Sequence, residues 1–202
     1  MCCNDKYLEN LKAVNTLYDF LNQAFFESTL SKPVITIQHD HKGRALGWFT
    51  CWESWQASEN TSPEINISAN FLDREPIDTA TTMLHEMCHQ YAYDRKIQDC
   101  SRSGTYHNKR FKDIAERYGL IVDKVPTYGW ARTTLSDDAR ARIEPALLQM
   151  PLLRRNQSIG GKSKGSSTRK YVCPSCDLTV RATKEVNIIC GDCDMAMMLD
   201  SD

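Results

Sequence analysis

Nowhere in this 202-residue chain do apolar residues run unbroken for the roughly 18 positions a membrane-crossing helix needs, so no transmembrane helix is expected. The opening Met1-Cys2-Cys3-Asn4-Asp5-Lys6 lacks the apolar stretch of a secretion signal. That predicts an intracellular protein rather than a secreted one. Net charge is nearly absent, at −1, but it is unevenly spread. Residues 154–170 hold Arg154, Arg155, Lys162, Lys164, Arg169 and Lys170 and no acid, so the remainder is acidic. Histidine is scarce: any imidazole site must draw on His39, His41, His85, His89 and His107. Cysteine is not scarce, with nine residues. Without a secretory context a disulfide framework is not the first explanation, and paired C-x-x-C spacing points to metal instead. Cys2 and Cys3 have no lipid-attachment context and read as incidental. The length and a 41% hydrophobic content allow one substantial core and one small module.

Against the scarcity of histidine, His85-Glu86-Met87-Cys88-His89 stands out as an H-E-x-x-H motif. On a helix, positions four apart share a face, so His85 and His89 can offer two ring nitrogens to one ion. Glu86 beside them can reach a water on that ion. The surroundings agree with a helix. Pro76 starts it, Asp78 or Thr79 is the expected cap, and Ala80, Met83, Leu84, Met87, Cys88, Tyr91 and Ala92 recur at helical spacing as far as about Asp94. Cys88 reads as a small core residue. A catalytic zinc takes three protein ligands and leaves a fourth position open. His107 is the best third candidate, expected to open a helix over residues 107–118 whose buried face is Phe111, Ile114, Ala115 and Tyr118 and which ends at Gly119. The segment between, residues 95–104, reads as a polar loop. His39 and His41 flank Asp40 before Lys42-Gly43 and read as turn residues.

Upstream, residues 5–27 give an amphipathic helix with Tyr7, Leu8, Leu11, Val14, Leu17, Tyr18, Leu21, Ala24 and Phe25 on its stripe. Val34-Ile35-Thr36-Ile37-Gln38 is a β-branched strand. A second strand is expected over about 44–51, a polar loop over 53–63, and a third strand at Ile65-Asn66-Ile67-Ser68. Trp48, Trp52 and Trp55 read as core and cleft lining, with stacking on exposed bases as the alternative. Residues 122–132 read as irregular. A helix follows Ser136, interrupted or ended by Pro145. Residues 159–168 form a Gly/Ser linker whose lysines attract phosphate, if they are not simply a solvated tether. The fold class is α+β.

Cys173-Pro174-Ser175-Cys176 and Cys190-Gly191-Asp192-Cys193 suit a closed tetrahedral zinc site of four thiolates, with hairpin strands expected at 178–181 and 186–189. So small a module cannot fold on apolar burial alone, and metal should supply the difference.

His85-Glu86-Met87-Cys88-His89, then His107-Asn108 with Phe111, Arg44 to Phe49 before Glu64 to Ser68, and the four cysteines together resemble the SprT-like (SprT/Spartan) zinc metalloprotease family with a C-terminal zinc ribbon. The resemblance implies a zincin-like protease domain over 1–150, a basic flexible linker over 151–170 and a ribbon over 171–202. It implies a zinc endopeptidase acting on DNA-bound or DNA-crosslinked proteins, with Glu86 as general base. One catalytic zinc would sit on His85, His89 and His107 and one structural zinc on Cys173, Cys176, Cys190 and Cys193. The DNA contact falls to the basic linker, and no membrane partner is expected. In zincins an edge strand beside the metal pairs with substrate backbone, and Glu64 to Ser68 is the candidate. Tyr106 and Arg110 are the near candidates for a second oxyanion donor. Two other readings stay open: a non-catalytic nucleic-acid-binding or regulatory zinc protein, and a narrow-substrate zinc protease independent of DNA.

Overall fold

A computed structural model describes residues 3–41, 43–150, 155 and 168–200. The chain separates into two compact units, Met1–Gln157 and Ser158–Asp202. Among the described residues no helix is long and apolar enough to cross a membrane.

The first unit opens with α1 (Cys3–Phe26), then β1 (Val34–Gln38), β2 (Gly47–Phe49), β3 (Trp55–Ala57), β4 (Asn60–Ser62) and β5 (Glu64–Ser68). The long helix α2 (Pro76–Asp94) follows, then β6 (Cys100–Ser101), β7 (Tyr106–His107), α3 (Lys109–Arg117), β8 (Leu120–Val125), β9 (Gly129–Leu135) and α4 (Asp137–Leu147). α1 and α2 form because their apolar positions repeat at helical spacing, and Val14, Leu17, Tyr18, Leu21, Met83, Leu84, Met87 and Cys88 are all but fully buried. The stripe of α1 starts later than the sequence suggests, since Tyr7 and Leu8 are half exposed. These faces enclose one core with Ile65 and Ile67 of β5, Phe111, Ile114 and Ala115 of α3, Leu120, Val122 and Leu135 of β8 and β9, and Ala139 and Ile143 of α4.

Several expectations are corrected here. Glu64 to Ser68 is not an edge strand. β5 lies between β1, its parallel partner, and β2, its antiparallel partner, and all five of its residues are buried. The edge on the α2 side is β2. The expected loop at 53–63 contains the β3–β4 hairpin. Residues 122–132 are not irregular but belong to the β8–β9 hairpin, in a four-stranded sheet of order β6-β7-β9-β8. Burial alternates in β8, where Leu120 and Val122 point inward and Ile121 outward. α2 is capped by neither Asp78 nor Thr79. Glu75 holds the cap position without a side-chain bond, and Pro76 supplies the first helical residue, where a missing N–H costs nothing. Pro145 sits inside α4, which runs on to Leu147.

The second unit contains β10 (Arg169–Val172), β11 (Thr179–Ala182), β12 (Ile189–Cys190), β13 (Met195–Ala196) and β14 (Met198–Asp200). The expected pairing of 178–181 with 186–189 is replaced. β10 pairs with β11 and β14, and β12 pairs with β13. Its buried cluster is Tyr171, Cys173, Cys190 and Met197. The Gly/Ser linker expected at 159–168 lies outside the described residues, apart from Thr168.

Candidate metal centre and cleft

Helical spacing on α2 places His85 and His89 on one face, and His107 arrives from a strand rather than from the helix expected of it. It ends β7. Asn108 is the N-cap of α3, its side chain accepting from the Arg110 and Phe111 amides. Backbone pairing sets the height of His107, whose N–H donates to Tyr128 O at 2.9 Å in register with Gly129. Gly129 has φ +71°, and a Cβ there would lie 2.2 Å from His107 O, so only glycine lets β9 approach.

The three imidazoles converge. Their Nε2 atoms lie 3.2 Å (His85–His89), 3.2 Å (His85–His107) and 3.0 Å (His89–His107) apart, while the ring centroids are 4.8–5.2 Å apart. The rings therefore splay outward from a common point. Each Nε2 lone pair or N–H follows its ring axis towards that point, so hydrogen bonds along the triangle cannot satisfy all three. A cation at the centre can. Zinc–nitrogen bonds of 2.0–2.1 Å in a tetrahedral site put ligand nitrogens about 3.4 Å apart, close to the spacing found. Zinc thus fits the donor set.

The far sides of the rings are held as a ligand site requires. His89 Nδ1 lies 2.5 Å from Asp99 Oδ2, both side chains 12% exposed, and His85 Nδ1 lies 3.0 Å from Thr133 Oγ1 on β9. Asp99 is tied in turn to the start of α3: its carbonyl accepts from Asn108 N, and Asn108 Nδ2 donates to Gln98 O. His107 Nδ1 is buried without a partner. Phe111, wholly buried, packs its ring 4.5–4.7 Å from all three imidazoles and stacks on His89. Burial, reinforced by His89 and His107, holds His85 well below the usual imidazole range. Burial and then His89 push His107 down to about 4. For His89 burial pulls down, but the hydrogen bond to Asp99, Cys100 and the charge of Glu86 outweigh it and raise it to about 10.

Glu86 is 6% exposed, and burial raises its carboxyl to about 7, opposed by His89 and by the Phe49 amide that hydrogen bonds to it. Glu86 lines, with His85 and His107, a cleft of about 800 Å³ whose wall also includes Leu46 and Gly47 at the start of β2. Gly47 permits that contact, for a Cβ would meet Asn66 O at 2.8 Å and Thr82 Cγ2 of α2 at 2.9 Å.

Other expectations change. Trp48, Trp52 and Trp55 are neither core nor cleft lining. Trp52 is 63% and Trp55 44% exposed, and none of the three borders the cleft. Trp55 Nε1 instead donates to the buried Glu64 carboxylate at 2.5 Å. Neither Tyr106 nor Arg110 borders the cleft, whereas Tyr128 does. His39 and His41 sit together at their turn, rings 5.7 Å apart, and join no metal-competent cluster among the described residues. Cys88 is buried in the core.

In the second unit the sulfurs of Cys173, Cys176, Cys190 and Cys193 lie within 4.8 Å of one another, with Cys176 and Cys190 at 3.7 Å. Zinc–sulfur bonds near 2.3 Å in a tetrahedron place sulfurs about 3.8 Å apart, so the four could form a zinc site. Backbone amides of Ser175 and Cys176 bond to the Cys173 sulfur and lower its pKa to about 7, favouring the thiolate that metal needs.

Sequence comparison gives a consistent result. The model of the SprT-like family matches residues 14–128, more than half of the chain and the span from α1 through the three histidines to the start of β9. No curated protein and no solved structure gives a significant match.

Proposed function

This chain belongs to the SprT-like family, and from that premise we propose that it is a zinc-dependent endopeptidase with a zincin-like catalytic domain, directed at proteins bound or crosslinked to DNA. The observation that carries the proposal is the convergence of three imidazole Nε2 atoms beside the buried carboxylate of Glu86 in an open cleft. His85, His89 and His107 hold the ion. Zinc there supplies Lewis acidity, polarising a carbonyl and acidifying water towards neutrality. Glu86 is the general base. Its carboxylate takes a proton from water and returns it to the departing amine, a task for which burial beside the cleft raises its proton affinity. The Phe49 amide steers that carboxylate. The outer edge of β2, where Gly47 lines the cleft, replaces Glu64 to Ser68 as the strand that receives substrate backbone, since main-chain pairing binds extended peptide with little sequence demand.

Cys173, Cys176, Cys190 and Cys193 hold a second, structural zinc in a closed site, making a ribbon of residues 171–202 beyond a catalytic domain over 1–150 and a linker over 151–170. Support for DNA comes from the six bases and no acids of residues 154–170, whose charges suit phosphate; most of that segment lies outside the described residues.

The test is proteolysis of a DNA-binding protein, with and without single-stranded DNA, by the native chain and by Glu86→Gln. Cleavage stimulated by DNA and reduced at least about 100-fold in the variant is expected, with zinc retained. Cleavage of one cellular protein without DNA dependence would favour the narrow-substrate protease. Full function in Glu86→Gln would favour the non-catalytic binding protein.

A further inference from the structure

Away from the histidines the residues lining the cleft include three arginines, Arg44, Arg74 and Arg132, and one acid besides Glu86, Asp78. They come from three separate segments: the turn before β2, the turn before α2, and β9. Arg74 is spoken for. Its Nε donates to Phe71 O at 3.0 Å and its Nη2 to Thr82 Oγ1 at 3.2 Å, and the charge of Asp78 acts on it. Arg44 and Arg132 are exposed, and neither forms an ion pair among the described residues. Arg132 stands opposite Asp123 in the β8–β9 register, yet no salt bridge among the described residues joins their side chains.

We propose that Arg44 and Arg132 form a subsite that selects an acidic side chain of the protein substrate. This rests on the peptidase reading for its substrate class. Two exposed arginines lining one cleft, neither in an ion pair among the described residues, match carboxylate geometry, since a guanidinium offers parallel N–H donors to two oxygens. A peptide laid along β2 presents alternate side chains to one side, so one position falls repeatedly on the same wall. Filling the cleft expels water, and the pair is then stronger than one on open surface. A polynucleotide fits less well, because its run of phosphates would meet Asp78 and Glu86 as well as the arginines, whereas a single acidic side chain need meet only the arginines.

The test uses the full chain carrying Glu86→Gln, so that bound peptides stay intact. Its ligands are fluorescent peptides in which one Glu, Gln or Lys is stepped along a neutral sequence. At one position Glu should bind at least about tenfold tighter than Gln. Arg44→Gln with Arg132→Gln should abolish the difference, and Arg44→Glu with Arg132→Glu should transfer the preference to Lys. Both arginines are exposed, so these variants retain the fold. Equal binding at every position overturns the proposal. So does arginine-dependent binding of a single-stranded oligonucleotide with no discrimination among peptides. Cleavage of the same peptides by the chain with Glu86 intact reports separately on the peptidase reading. Selective binding without cleavage sinks that reading and leaves the subsite, while cleavage indifferent to charge sinks the subsite alone.

Discussion

The geometry of His89 rests on Asp99, which holds Nδ1 at 2.5 Å and is itself fastened to Asn108 at the head of α3. One short polar link thus couples the helix bearing two ring nitrogens to the segment bearing the third. Asp99→Ala should lower zinc affinity at the histidine site by about 10- to 100-fold, measured by chelator competition, since outer partners of ligand histidines carry effects of that size. An unchanged affinity would show that Phe111 stacking and backbone pairing suffice. His85, Glu86, His89 and His107 were legible in the sequence because scarcity and helical spacing isolate them. Asp99 was not. It is one of 26 acids, in a segment with no periodicity, and its role arises only when β6 and β7 fold back beside α2. Thr133 and the Phe49 amide were hidden for the same reason, since each reaches the site across the fold.

Among the elements, the contact of β2 with α2 decides whether the cleft has a usable wall. Gly47 lies where a Cβ would press on Asn66 O and Thr82 Cγ2, with Glu86 Cγ 3.5 Å away. Gly47→Ala should therefore destabilise the chain by about 1–3 kcal/mol in urea denaturation, the usual cost of overpacking. It should also reduce cleavage beyond what the lost stability explains, because Asn66 O and Thr82 Cγ2 must give way and shift β2 against the face of α2 that carries Glu86. Wild-type stability in this variant would mean that the strand can retreat freely. Helices α1 and α2 were readable from their long apolar stripes. Strands of two or three residues, as in β3, β4, β6 and β7, are too short to carry a period of two. Pro126 and Gly129 made the β8–β9 hairpin look irregular although Leu120 and Val122 alternate inward. β5 was recognisable as a strand, but alternation tells which face is buried and not which neighbours pair, so its central place was hidden.

At the scale of the whole molecule, two units solve the problem of stability differently. The first encloses a broad apolar core from α1, α2, α3, α4 and four of its strands, and the second buries, among the described residues, only Tyr171, Cys173, Cys190 and Met197 as its apolar cluster. So small a cluster predicts that the second unit needs its four thiolates to hold metal. The cysteine spacing predicts that need, whereas the strand pairing around it, set by β10 and β14, had no comparable signal. The zinc-to-chain ratio of the full chain, set beside His85→Ala with His89→Ala and beside Cys176→Ser, tests the metal assignment most directly. About two ions per chain are expected in the native protein and about one in either variant, with cleavage lost in the histidine variant. A ratio unmoved by the histidine changes would contradict the assignment of a catalytic ion to His85, His89 and His107.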